Sequence, residues 1–306
     1  MELYLPIAEI SVNWVVIVGM GAAVGFLSGV FGVGGGFLLT PLLVFAGIPP
    51  GVAVATQACH ITASSVSGAL THWRRDGIDM KMGAVLAGGG LIGAIAGVQI
   101  FRILQQLGQI EFTVTAGYVV LLSSIGGLML KESIGTIRAT RRGHPPRLSQ
   151  RPARRWMLDL PLRMHFKHSD LSISVIPPIA LGIIVGILTA ILGIGGGFLL
   201  VPAMIYLLRM PTAVVVGTSQ FQILFVTAVS TVLHAYTNHT VDLVLAFLLV
   251  LGAASGVQFG VRVGSRLRGE ELRALLGILV VVVAIRLLFD LVVPPADIFS
   301  VVVSTP

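Results

Sequence analysis

The stretch GFLSGVFGVGGGFLLTPLL at residues 25–43 returns as GILTAILGIGGGFLLVPAM at residues 186–204. One unit is therefore written twice in a chain of 306 residues. Further matches follow in the same order: Thr56 with Thr218, His72 with His234, Asp79 with Asp242, and Gly97-Val98-Gln99 with Gly256-Val257-Gln258. Colinearity of this extent describes two related halves, and in membrane proteins internal symmetry of this kind marks transporters.

Composition says which solvent the halves fold in. Hydrophobic residues make up 55% of the chain and charged residues 11%, with a mean hydropathy of +0.96. A soluble domain carries about a quarter of its residues as charges. Too little polar surface is present here to cover the apolar residues, so lipid is the expected solvent. Apolar runs near the ~20 residues needed to cross a bilayer recur along the chain. The first run follows Glu2 and Glu9 rather than a basic stretch, which argues against a removable signal peptide. A net charge of +7 could indicate nucleic acid, but the basic residues sit in short loops between apolar runs, where they specify topology. The single cysteine, Cys59, allows neither a disulfide framework nor a cysteine metal site within one chain.

Each half divides into five apolar segments: residues 13–31, 36–47, 52–72, 82–101 and 112–130, then 174–192, 197–208, 212–234, 241–261 and 272–293. The expected fold is an all-α polytopic membrane protein. Its first repeat covers residues 1–130, a basic linker 131–173, and the second repeat 174–306. The linker carries Arg141, Arg142, Pro145, Pro146, Arg147, Arg151, Pro152, Arg154 and Arg155, with a short surface helix expected around Trp156 to Phe166. An odd number of segments inverts the second repeat relative to the first. With the linker in the cytoplasm, alternation places all of the 20 Lys and Arg residues on that side except Arg102 and Arg286. Both chain termini then face the other side.

Segments two and seven are too short: about 12 residues at ~1.5 Å each reach ~18 Å, against a hydrocarbon core of ~30 Å. They read as broken or re-entrant helices that follow the glycine runs. A run such as Gly32-Val33-Gly34-Gly35-Gly36, or its twin Gly193-Ile194-Gly195-Gly196-Gly197, lets the backbone turn and open a helix whose first N–H groups have no partner. Those donors and the helix dipole suit an anion, which nominates Gly34, Gly35, Gly36, Gly195, Gly196 and Gly197. A packing turn that touches no solute is the alternative. Nucleotide fingerprints fail on spacing, because Phe37 and Phe198 stand where a third glycine would be needed and no Gly-Lys-Ser or Gly-Lys-Thr follows. Glycines at every fourth position from Gly252 read as helix contacts.

Polar side chains within the third segment of each half complete the candidate site. The first half offers Thr56, Gln57, His60, Thr62, Ser64 and Ser65, and the second Thr218, Ser219, Gln220, Gln222, Thr227 and Ser230; of these, Thr56, Gln57, His60, Thr218, Ser219 and Gln220 are nominated for the site. Bonding to their own helix is the competing role for the hydroxyls. His72 and His234 hold matching segment ends, where proton exchange and an ordinary interfacial position are both open. Asp and Glu occur only in loops or near span ends, so a donor-rich, uncharged interior favours an anion over a cation. Paired acids, histidine-rich helices and nucleophile motifs are missing from the sequence, so neither an enzyme nor a cofactor or metal is expected.

At GVFGVGGGFLLTPLL and AILGIGGGFLLVPAM, with Thr56-Gln57 and Gly217-Thr218-Ser219 following, the chain resembles the sulfite exporter TauE/SafE family. The resemblance spans nearly all of both halves and includes Pro41 and Pro202 after the glycine runs. It implies transport of a small sulfur-containing anion, such as sulfite or an organosulfonate, across the plasma membrane. Thr56-Gln57 departs from the Thr-Ser seen at Thr218-Ser219. The expected mechanism is alternating access about a site between the two glycine turns. A passive anion channel and a non-transporting scaffold or sensor are the other readings. No nucleic-acid partner is expected; the membrane lipid and the anion are the partners implied.

Overall fold

A computed structural model describes residues 2–31, 36–74, 76–141, 163–166, 168, 169, 171–264 and 269–292. The first half opens with a hairpin, β1 (Glu2–Leu5) and β2 (Ile10–Asn13), followed by α1 (Trp14–Phe31), α2 (Gly36–Phe45), α3 (Pro50–Arg74), α4 (Met80–Gln106) and α5 (Ile110–Arg141). The same order returns: a hairpin of β3 (Arg163–Phe166) and β4 (Leu171–Ser174), then α6 (Ile176–Leu192), α7 (Gly197–Tyr206), α8 (Thr212–Leu233), α9 (Leu243–Gly264) and α10 (Gly269–Val292). A single π-turn, His234–Asn238, extends α8.

The chain is an all-α polytopic membrane protein, as its composition requires. Helix α4, residues 110–131 of α5, α8 with its π-turn, residues 243–260 of α9 and residues 275–292 of α10 are long and apolar enough to cross a bilayer. Helices α2 and α7 have 10 residues each, about 15 Å and half of a hydrocarbon core. Two expectations change. Residues 163–166 are a strand and not the end of a surface helix; the rest of that stretch, 156–162, lies outside the described residues. The hairpins were not foreseen, and they stand at the same chain offset as Gly25 and Gly186.

Small residues decide which helices touch. Gly252, Gly256 and Gly260 of α9 lie against the backbone of Val18, Ala22 and Phe26 on α1. Gly89, Gly93 and Gly97 of α4 lie in the same way against Ile179, Ile183 and Ile187 on α6. A Cβ at most of these positions would collide with a neighbouring backbone, so the backbones approach as closely as glycine permits. Each half thus lends its first long helix to the fourth of the other, while α3 packs on α8 and α5 on α10.

Two buried aspartates join the halves. Asp79 caps α4, its Oδ1 accepting from Met82 N at 3.1 Å, and Asp242 does the same for Leu245 N at 3.0 Å. The Asp79 backbone N–H donates to Thr218 Oγ1 at 3.0 Å, and that of Asp242 to Thr56 Oγ1 at 3.0 Å. Each remaining carboxylate oxygen ties down a hairpin: Asp79 Oδ2 accepts from Ser169 N and Oγ at 3.1 and 2.7 Å, and Asp242 Oδ2 from Ile7 N at 3.2 Å. Both residues are buried, and these bonds supply the acceptor-to-donor contacts a buried carboxylate needs. At the surface, Arg286 pairs with Asp290 one turn on, at 2.9 Å.

Candidate functional site

The glycine run after α6 breaks the helix because three of its residues take left-handed backbone: Gly193 at φ 69°, Gly195 at 72° and Gly196 at 77°. A side chain at those angles is strained. Helix α7 then starts at Gly197. In the first copy, Gly34 and Gly35 lie outside the described residues, and Gly36 opens α2. The starts of α2 and α7 meet. Phe37 and Phe198, the second residues of α2 and α7, stack at 4.2 Å with rings 16° apart, and a Cβ on Gly36 would come within 2.7 Å of the Ile194 carbonyl.

Beside this contact lies a cavity of about 40 Å³ lined by Gly36, His60, Gly195, Gly197 and Gln220, with Ser28, Ser64 and Ser65. Five of the sequence candidates are therefore brought together. Two helix N-termini, those of α2 and α7, reach the same space, and each carries N–H groups without an intrahelical acceptor and a partial positive charge. His60 is 5% exposed, and neither ring nitrogen has a hydrogen-bond partner in the protein. Among the described residues, no carboxylate, lysine, arginine or cysteine lines the cavity. Such a wall can hold an anion through N–H donors and dipoles without fixing a countercharge.

The other candidates fall elsewhere. Gln57 borders the site: its Oε1 accepts from Thr40 Oγ1, while its buried Nε2 is unpartnered and would lie 3.2 Å from a Cβ on Gly36. Thr56 and Thr218 serve the joints described above, and Ser219 Oγ donates to Val216 O of its own helix at 2.8 Å. Gly196 does not line this cavity; a Cβ on it would meet Val185, Thr189 and Ile223. His234 is buried and tied at both ring nitrogens. Its Nε2 lies 3.0 Å from Ala190 O; since a carbonyl only accepts, Nε2 carries the proton and Nδ1 accepts from Asn238 Nδ2 at 2.9 Å. Phe101 packs edge-on against the same ring at 4.6 Å. His72 is half-buried near the end of α3, beside Gly217 of α8.

Sequence reasoning passed over Ser28, Thr40 and Thr189. The available signal was that Ser28 and Thr189 hold the same place in the two copies, each a hydroxyl inside an apolar helix. Among the described residues, no group of three His, Cys, Asp or Glu side chains is placed to hold a metal ion.

The sequence model of the family described as "Sulfite exporter TauE/SafE" matches residues 17–287. The chain is 28% identical to "Probable membrane transporter protein YjnA" of Bacillus subtilis (strain 168), over 88% of this chain and 97% of that one. A "Probable membrane transporter protein" of Xylella fastidiosa (strain 9a5c) is 29% identical, over 90% and 95%. "Probable membrane transporter protein YunE" of Bacillus subtilis (strain 168) is 26% identical, over 91% and 98%. No solved structure matches the chain at a significant level.

Proposed function

Because the chain belongs to the sulfite exporter TauE/SafE family and is a membrane transporter, we propose that it carries a small sulfur-containing anion, such as sulfite or an organosulfonate, across the plasma membrane by alternating access. The observation that carries this reading is the cavity where the N-termini of α2 and α7 converge on an unpartnered, buried His60. A sulfur oxyanion offers several acceptor oxygens and a diffuse negative charge. Donors on the turn, the His60 ring N–H and the Gln220 amide would replace its hydration shell without a fixed cation, which permits release as well as capture.

The halves act in this account as inverted repeats. The Asp79–Thr218 joint then lies toward the cytoplasm and the Asp242–Thr56 joint toward the outside, one on each side of the central site. Opening the path on one side requires the halves to separate at that joint while the other holds. The solute passes unchanged, so the protein is a permease and not an enzyme.

Purified protein in liposomes, offered sulfite, an organosulfonate, sulfate, a carboxylate and chloride in turn, tests the reading. Saturable uptake of a sulfur anion above that of protein-free vesicles is expected. Flux that rises without saturation would make the protein a channel, and preference for the carboxylate or chloride would overturn the substrate class.

A further inference from the structure

The broken end of α6 takes its hydrogen-bond partners from two other helices. Gly193 N makes the last bond of α6, to Thr189 O at 2.8 Å, and the carbonyls that follow have no N–H within the helix to accept from. Two of them are nevertheless bonded. Ala190 O accepts from Nε2 of His234, in the π-turn that extends α8, at 3.0 Å. Leu192 O accepts from the hydroxyl of Tyr118 on α5 at 2.7 Å. Both donors are buried, Tyr118 at 1% exposure and His234 at 0%. Gly117 lets α5 come this close, since a Cβ there would stand 2.8 Å from Leu192 Cδ2.

In a helix that ran on, the same two carbonyls would take the N–H groups four residues later, those of Ile194 and Gly196. Left-handed backbone at Gly193, Gly195 and Gly196 carries the chain off that path. Among the described residues, the N–H groups of Ile194 and Gly196 have no hydrogen-bond partner. Ile194 and Gly195 line the His60 cavity, and the Gly196 N–H belongs to the peptide that joins it to Gly195. The side-chain donors thus stand in for the two turn N–H groups at α6, and those N–H groups are left over beside the cavity.

We infer that Tyr118 and His234 are positioning residues for the anion: by occupying the carbonyls of Leu192 and Ala190, they keep the turn from winding onto the end of α6 and leave its N–H groups to the solute. The inference rests on the transport reading above. Neither side chain lines the cavity, so both act through the turn. Removing either donor orphans a buried carbonyl, which is costly. The donors next along the chain are the turn's own N–H groups, and each one drawn back to α6 is lost to the anion.

Concentration-dependent sulfite uptake by the full chain in liposomes, with Tm measured in detergent, tests this. Tyr118→Phe and His234→Phe should each raise KM roughly tenfold, the loss of one hydrogen bond to a charged solute, with Vmax close to that of the wild type. His234→Gln keeps an N–H donor and should recover most of the affinity. Tyr236→Phe, the same change at a tyrosine that is 82% exposed, should behave as the wild type. Tyr118→Phe removes one oxygen and keeps the ring, so the test stands if the His234 variants misfold. Unchanged KM in the folded Tyr118→Phe protein, with or without a lower Tm, would make the contact merely structural. That result would overturn the inference and leave the transport reading standing, and so would a folded His234→Gln protein no better than His234→Phe. Wild-type protein that takes up no sulfite would overturn both.

Discussion

The backbone N–H of Asp242 donates to the side-chain oxygen of Thr56, 186 residues away, at 3.0 Å. Its mirror is the bond from Asp79 to Thr218 at the same length. Each half thus supplies a threonine from its third helix to the aspartate that starts the other half's fourth. The donor in each pair is a buried main-chain group, which cannot turn to water if its acceptor is removed.

Thr56→Val and Thr218→Val should therefore each destabilise the protein by about 1 to 3 kcal/mol, the cost of an orphaned buried donor. The expected fall in Tm is about 2 to 4 °C per kcal/mol. Thermal unfolding in detergent checks this, and the two variants should fall by similar amounts because their contacts are equivalent. Unchanged melting in both would show that the joints carry no stability.

Glycine substitutions separate packing from mere helix propensity. Gly93 and Gly256 lie against the backbones of Ile183 and Ala22, whereas Gly19 and Gly88 have no atom within 4 Å of an added Cβ. Gly93→Val and Gly256→Val should abolish the monodisperse peak on size-exclusion chromatography, while Gly19→Val and Gly88→Val should preserve it. A shared outcome for all four would contradict the interhelical contacts.

Sidedness is tested in intact cells in a Cys59→Ala background. A cysteine at Gly77 should be shielded from an impermeant thiol reagent and one at Asn238 labelled. Labelling at Gly77 with protection at Asn238 reverses the orientation, and labelling at both breaks the inverted arrangement.

The helices were legible because each is an apolar run closed by glycine, proline or charge. The boundaries of α2 and α7 followed from Gly36 and Gly197, and the packing role of the glycines from Gly252 onward followed from their spacing. The hairpins were not legible: ELYL and ISVN are four-residue strands with no turn glycine between them, and RMHF to LSIS turns through His168 and Ser169 in a stretch whose charge suggested a surface helix. Within the site, the convergence of Gly36, His60, Gly195, Gly197 and Gln220 was visible in outline. What a sequence of one chain could not show is pairing. Thr56 and Thr218 read as solute-facing because they are polar and deep in the membrane, but their partners are main-chain groups in the opposite half.

Turn geometry makes a further demand. Gly195→Ala places a Cβ at φ 72° and 2.7 Å from Ile61 Cδ1, so the turn must shift beside the cavity. Sulfite uptake should fall at least tenfold, while Gly88→Ala, remote from any contact, transports as the wild type. Equal uptake by the two variants would remove the turn from the site.

The central claim is that the anion is held at the cavity where α2 and α7 begin. His60 is its most exacting probe, since both ring nitrogens are free of protein partners and Leu can take the ring's volume without orphaning another group. The measurement is the concentration dependence of sulfite uptake into liposomes containing wild type or His60→Leu protein, matched for amount and for Tm. Losing a hydrogen bond to a charged solute costs about 1.5 to 3 kcal/mol, so uptake efficiency should fall roughly ten- to a hundred-fold. Wild-type uptake by a folded His60→Leu protein would place the anion elsewhere and contradict the account.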